Sequence, residues 1–221
     1  MLVETRIRLN EQMAEVYQTV LKMGTFVEEA LRKALNAVSN RNMNLAQQVI
    51  EHDIHIDSYQ NAIEDMCTKI IATEQPVASD LRELVTLIKV VSDLERIGDH
   101  ARHLAKSISS ISEPILEQVL PKIKVMTEKG ISMVHDALTA LSTHDADLAT
   151  TIAAMDDQID ELHTQLYEQI ITIMQEDPRY IEEGTTLLFL NRFLERLGDH
   201  VTNICEWIVY AKRGTHIELN F

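Results

Sequence analysis

The sequence predicts an all-α fold, two tandem pseudo-repeated three-helix bundles whose six long helices pack side by side. Three observations carry this. Only 6 glycines and 4 prolines punctuate 221 residues, and aromatic residues make up 5%; such a breaker-poor chain, rich in Leu, Ile, Ala, Glu and Gln, favours helix over strand. Apolar residues recur at helical spacing almost throughout. The second half of the chain also repeats the first.

The spacing predicts helices at about Val3–Ser39, Met43–Ala72 and Val77–Ile111, then at about Ile115–Ser142, Ala146–Glu176 and Arg179–Arg213. Asn42 and Asp145 stand where they can cap the helices that follow. Gln75-Pro76 and Asp177-Pro178 break the chain at matching places, because proline is tolerated only at a helix start. Ser112-Glu113-Pro114 separates the two sets, giving expected bundles at 1–111 and 115–221. Pro121 is expected to delay the fourth helix by about a turn.

The repeat is read from identities at fixed offset. Leu35, Ser39, Leu45, Ala46, Asp53, Asp57 and Ile70 match Leu138, Ser142, Leu148, Ala149, Asp156, Asp160 and Ile173, 103 residues on. In the third helix the offset falls to 100, where LERIGDH at Leu94–His100 aligns with LERLGDH at Leu194–His200. A repeat of this length is a bundle in itself rather than a solenoid unit.

Net charge is −15. That disfavours nucleic acid and anionic lipid and suits metal cations or a basic protein surface. Cys67 and Cys205 lie in apolar helical patterns with no C-x-x-C spacing, so no disulfide framework or thiolate zinc site is indicated. The N-terminal stretch lacks the apolar run of a signal sequence, and no run approaches the roughly 20 apolar residues of a membrane span. A cytoplasmic protein without a membrane span is expected.

A heptad frame on the third helix, with Leu84, Val91, Gly98 and Ala105 at a, puts Glu95 at e and Asp99 at b. Framing the second helix on Val49, Ile56, Ile63 and Ile70 puts Asp53 at e and Asp57 at b. The second half repeats this with Asp156 and Glu195 at e, and Asp160 and Asp199 at b. Like charges at i, i+4 cost a helix roughly 0.2–0.5 kcal/mol per pair, so four such pairs want a reason. If the second and third helices are neighbours, four carboxylates meet in each half. An oxygen-rich cluster suits hard cations such as Mg, Mn or Fe(III); a merely solvated acidic edge is the alternative. Gly98 and Gly198, at core-facing a positions, would let a neighbouring helix come close.

His100 and His200, at c, are expected on the surface rather than as ligands. His103 and Asn203 are expected to be solvated, with a supporting role toward a metal as the sharper reading. Arg82, Lys89 and Arg96 form a basic line at f, where the second half has Glu182, Phe189 and Arg196; the line reads as a solvated face or as a docking strip. There is no Glu-x-x-His pair, no phosphate-cradling glycine loop and no persuasive nucleophile with a base.

The stretches QPVASDLRELVTLIKVVSDLERIGDHARHLA at Gln75–Ala105, FLERLGDHVTNICEWIVY at Phe193–Tyr210 and GTHIELN at Gly214–Asn220 resemble the PhoU family of bacterial phosphate signalling. The resemblance covers nearly the whole chain. It implies two similar three-helix bundles and metal ions held by acidic E/D-x-x-x-D motifs, here Asp53, Asp57, Glu95 and Asp99, and Asp156, Asp160, Glu195 and Asp199. Iron, manganese, magnesium and zinc are the expected candidates. It also implies a non-enzymatic negative regulator linking the ATPase subunit of a phosphate ABC transporter to a sensor histidine kinase, with homodimer formation as an expectation. His103 departs from the asparagine usual in the motif, which Asn203 keeps. A metal-dependent bundle enzyme and a metal-free helical scaffold stay open as the competing classes.

Overall fold

The structure is a computed structural model and describes residues 2–219, with side chains from Arg6 onward; of the motifs above only Asn220 lies outside. The expected all-α architecture is present: α1 (Leu2–Ser39), α2 (Met43–Glu74) and α3 (Ser79–Ser107) form one bundle. The second contains α4 (Glu113–Thr143), α5 (Ala146–Ala153), α6 (Asp157–Glu176) and α7 (Ile181–Arg213). Short 3-10 turns at Ile108–Ser110 and Pro178–Tyr180 lie beside the linker and α7. No strand occurs among the described residues, and no helix there is long and apolar enough to cross a membrane.

The caps form as their chemistry requires. The Asn42 side chain accepts from Leu45 N, and Asp145 accepts from both Asp147 N and Leu148 N, satisfying donors that a helix start leaves free. Two expectations fail. Pro121 does not delay α4, which starts at Glu113 with Pro114 in its first turn and runs through Pro121. Buried Leu116 and Val119 before it and Ile123 and Met126 after it hold the helix across the missing N–H. The helix expected at Ala146–Glu176 is instead tightened at Ala154–Asp156. There Met155 N bonds Ile152 O at 2.9 Å and Asp156 N bonds Ala153 O at 3.1 Å, three residues back rather than four.

Both bundles contribute to one continuous apolar core. The helix pair that packs most extensively is α3 against α7, the two carrying the repeated heptapeptide; α1 also packs on α4. The α3–α7 seam overturns the expectation of surface histidines. His100 is 7% exposed and stacks on Phe193 at 5.5 Å, while His103 stacks on the same Phe193 ring at 4.2 Å. His200 Nδ1 lies 2.9 Å from Asp93 Oδ1, to which Asn203 Nδ2 also donates at 3.4 Å. A heptad frame drawn for one bundle reports what that bundle covers; position c is covered by the other bundle. Burial pushes the His100 imidazole down to about 3, so it stays neutral. The linker is pinned as well: Ser112 donates from N and Oγ to Glu183 Oε2, at 2.7 and 2.6 Å.

The basic line on α3 is only partly solvated. Arg82 Nε is buried, with Gly214 against the guanidinium, and Lys89 Nζ sits 5.8 Å from the centre of the Trp207 ring. Arg96 remains largely exposed, 3.6 Å from Glu95.

Candidate metal centre

Each bundle gathers its four acidic residues on two adjacent helices, except that Asp156 stands in the turn just before α6. In the first, α2 carries Asp53 and Asp57 and α3 carries Glu95 and Asp99. Burial pushes the Asp53 carboxyl up; Arg102 opposes this, while Asp99 and Asp57 reinforce it. Glu95 is raised by burial and then by Asp99, Asp57 and Asp53. The four thus share one field. Among the described residues, however, no three Asp, Glu, His or Cys side chains already stand at metal-ligand spacing.

A cation of the protein's own sits in this first quartet. Arg102 Nε is 2.8 Å from Asp53 Oδ2, a charge contact without hydrogen-bond geometry, and Arg102 Nη2 hydrogen-bonds Asp99 Oδ1. The guanidinium therefore spans α2 and α3 between two of the expected ligands. Arg102 was not among the sequence candidates. It stands one heptad beyond Glu95 on the same helix, which is the signal that would have found it. A cavity of about 250 Å³ opens alongside, lined in part by Asp53, Gly98, His52 and His55.

The second quartet is built differently. Asp156 and Asp160 belong to the tightened turn and α6, and Glu195 and Asp199 to α7. Asp156 is 5% exposed, and its Oδ1 has no hydrogen-bond partner among the described residues. Its Oδ2 accepts from Thr202 Oγ1 at 3.4 Å; Thr202 stands where the first repeat has Arg102. Burial, then Asp160 and Asp199, push the Asp156 carboxyl up to about 7. Glu195 Oε1 accepts from Arg192 at 2.7 Å, but its Oε2 is buried without a partner. Burial and Asp199 raise Glu195, and burial and Asp199 raise Asp160, while the His163 ring opposes both shifts. His163 is held by exchange with buried Asn191, whose Nδ2 donates to His163 O at 2.9 Å. Sequence reading missed both residues, because a lone histidine on an acidic edge carries no spacing signal.

The glycines divide in the same way. A Cβ on Gly98 would stand 2.9 Å from Ile56 Cδ1, whereas one on Gly198 would overlap the Asp156 carboxylate. Gly198 is a cradle for that carboxylate, and Gly98 is a packing notch. The donors in both quartets are oxygens, and two buried oxygens of the second lack donors. That set fits a hard cation, which would satisfy atoms that otherwise carry a desolvation cost.

A family model described as the PhoU domain matches residues 20–108 and 123–208, one match per bundle. A protein of Clostridium acetobutylicum named phosphate-specific transport system accessory protein PhoU homolog is 34% identical over 217 residues, covering 98% of this chain and 99% of that one. Among solved structures, the phosphate transport system regulatory protein PhoU from Streptococcus pneumoniae superposes with a TM-score of 0.88 at 34% identity, covering 95% of this chain and 99% of that one. PhoU from Pseudomonas aeruginosa gives 0.85 at 36% identity, covering 93% and 99%.

Proposed function

The chain belongs to the PhoU family, and from that premise we propose that it is a cytoplasmic, metal-binding negative regulator of phosphate uptake and phosphate-starvation signalling. Its proposed partners are the ATPase subunit of a phosphate transporter and a sensor histidine kinase. The observation that carries the metal part is the buried Asp156 carboxylate, with an oxygen left without a donor, facing Asp160, Glu195 and Asp199.

Asp53, Asp57, Glu95 and Asp99 would hold a cation in the first bundle, and Asp156, Asp160, Glu195 and Asp199 in the second. Iron, manganese, magnesium and zinc are the candidates, with oxygen donors favouring the harder ions. When bound, such an ion supplies positive charge that cancels part of the acidic edge. The carboxylates hold that edge at the bundle's flank, and their charge sets which partner surface it attracts. A basic partner would meet the uncancelled edge, and a more acidic one the cancelled edge. The reading is non-enzymatic. Both cysteines are buried, and burial pushes each thiol up to about 12, so neither serves as a thiolate nucleophile.

The test is capture of the purified ATPase subunit and of the kinase by full-length chain, metal-loaded and chelator-stripped. Occupancy is read by elemental analysis, and monomer or homodimer by sedimentation. Capture that changes with occupancy is expected. Equal capture in both states overturns the coupling, and loss only in an Arg82/Lys89/Arg96 charge reversal moves the docking surface to the exposed part of that line.

A further inference from the structure

We propose that Arg102 is a tethered cation that fills the first quartet, so that this chain takes up a metal ion first and most tightly at Asp156, Asp160, Glu195 and Asp199. The inference rests on the metal reading above and adds an order of loading to it.

A metal ion and the Arg102 guanidinium compete for one fixed place. A cation entering the first quartet must displace a guanidinium that already touches carboxylates from both helices, Asp53 on α2 and Asp99 on α3. That guanidinium is covalently attached, so its effective concentration at the site does not fall on dilution. It is also always charged, so no ordinary pH removes it.

At the second quartet the same helical position holds Thr202, a neutral hydroxyl that donates one long bond to Asp156. Arg192 reaches this quartet only at its rim, with its own side chain 58% exposed, and leaves Glu195 Oε2 unpaired. The Asp156 carboxylate lies in the Gly198 cradle, 5% exposed, with Oδ1 lacking a donor. A second buried oxygen on the facing helix is in the same condition. Two orphaned oxygens on facing helices are a stronger demand for a cation than a quartet already bridged by one.

The experiment is calorimetric titration of Mn(II) into chelator-stripped full-length protein, with the ions located by anomalous scattering at the manganese edge. Wild type should bind one equivalent at least tenfold more tightly than the second, and the tight ion should lie between α6 and α7. Asp156→Asn should remove the tight equivalent. Arg102→Thr should raise the affinity of the other at least tenfold, so that the two become comparable. Arg102→Gln, which keeps most of the stem and removes the charge, should do the same if the threonine variant folds poorly. Two equal equivalents in wild type, unchanged by either Arg102 variant, would overturn the inference and leave the metal reading standing. Tight binding lost in Asp53→Asn rather than Asp156→Asn would also overturn it. If neither wild type nor the Arg102 variants bind Mn(II) at all, the metal reading falls and the inference with it.

Discussion

Gly98 and Gly198 occupy the same place in the repeated heptapeptide, yet they make room for different chemistry. The Ile56 methyl facing Gly98 is the end of a flexible side chain and can move by a few tenths of an ångström. Gly98→Ala should therefore shift stability by less than about 1 kcal/mol, since the helix gains roughly that from alanine. In Gly198→Ala the group that must move is the Asp156 carboxylate itself, which the added methyl would overlap. It should weaken metal binding at the second quartet more than tenfold, while Gly98→Ala leaves that site unchanged; titration of both variants checks the contrast. The acidic residues themselves were readable from sequence because each recurs at the same heptad letter in both halves. Arg102 was not legible in that way, because the two halves differ there, with Thr202 one repeat on. The structural asymmetry of the two quartets lies in such differences.

Helix boundaries were legible where chemistry forces them. Asn42, Asp145, Pro76 and Pro178 each mark an end for a local reason, and the structure ends its helices there. The tightening at Ala154–Asp156 left no such mark. Ile152 and Ile159 keep the apolar period through it, and Ala153, Ala154 and Met155 are good helix formers. Its effect is nevertheless specific: the turn delivers Asp156 to the core side of the bundle just where α6 begins, and Asp157 and Asp160 lie in the first turn of α6 where negative charge is favoured. The cap of α5 supports this turn from one end. Asp145→Ala removes the acceptor of two backbone N–H groups and should cost about 1–2 kcal/mol. Denaturant unfolding reads that loss. Elemental analysis of the same variant should show unchanged metal content, since Asp145 stands more than two turns before the quartet.

At the scale of the whole chain, the net charge of −15 makes the metal-free protein repel itself. Screening shortens the reach of that repulsion, from about 14 Å near 0.05 M salt to about 4 Å near 0.5 M. Sodium chloride over that range should raise the melting temperature of chelated protein by about 2–4 °C for each kcal/mol relieved. Scanning calorimetry checks this, and a fall would mean that attractive ion pairs outweigh the repulsion. The seam between α3 and α7 carries a different lesson. Asp93 meets His200 and Asn203; the residues one repeat away are Phe193, His100 and His103, and these meet one another in the same pairing. The seam is a pseudo-twofold contact in which one side answers by hydrogen bond and the other by ring stacking. In a dimer of identical single repeats, each residue would have to serve both sides of the axis at once. Joining the copies in one chain lifts that obligation: an acid could become phenylalanine on one side only, with histidine replacing asparagine to match it. The covalent link between the bundles is thus what permits them to become specialists, and a matched pair of identical bundles would be unable to hold an arginine in one pocket and an open carboxylate in the other.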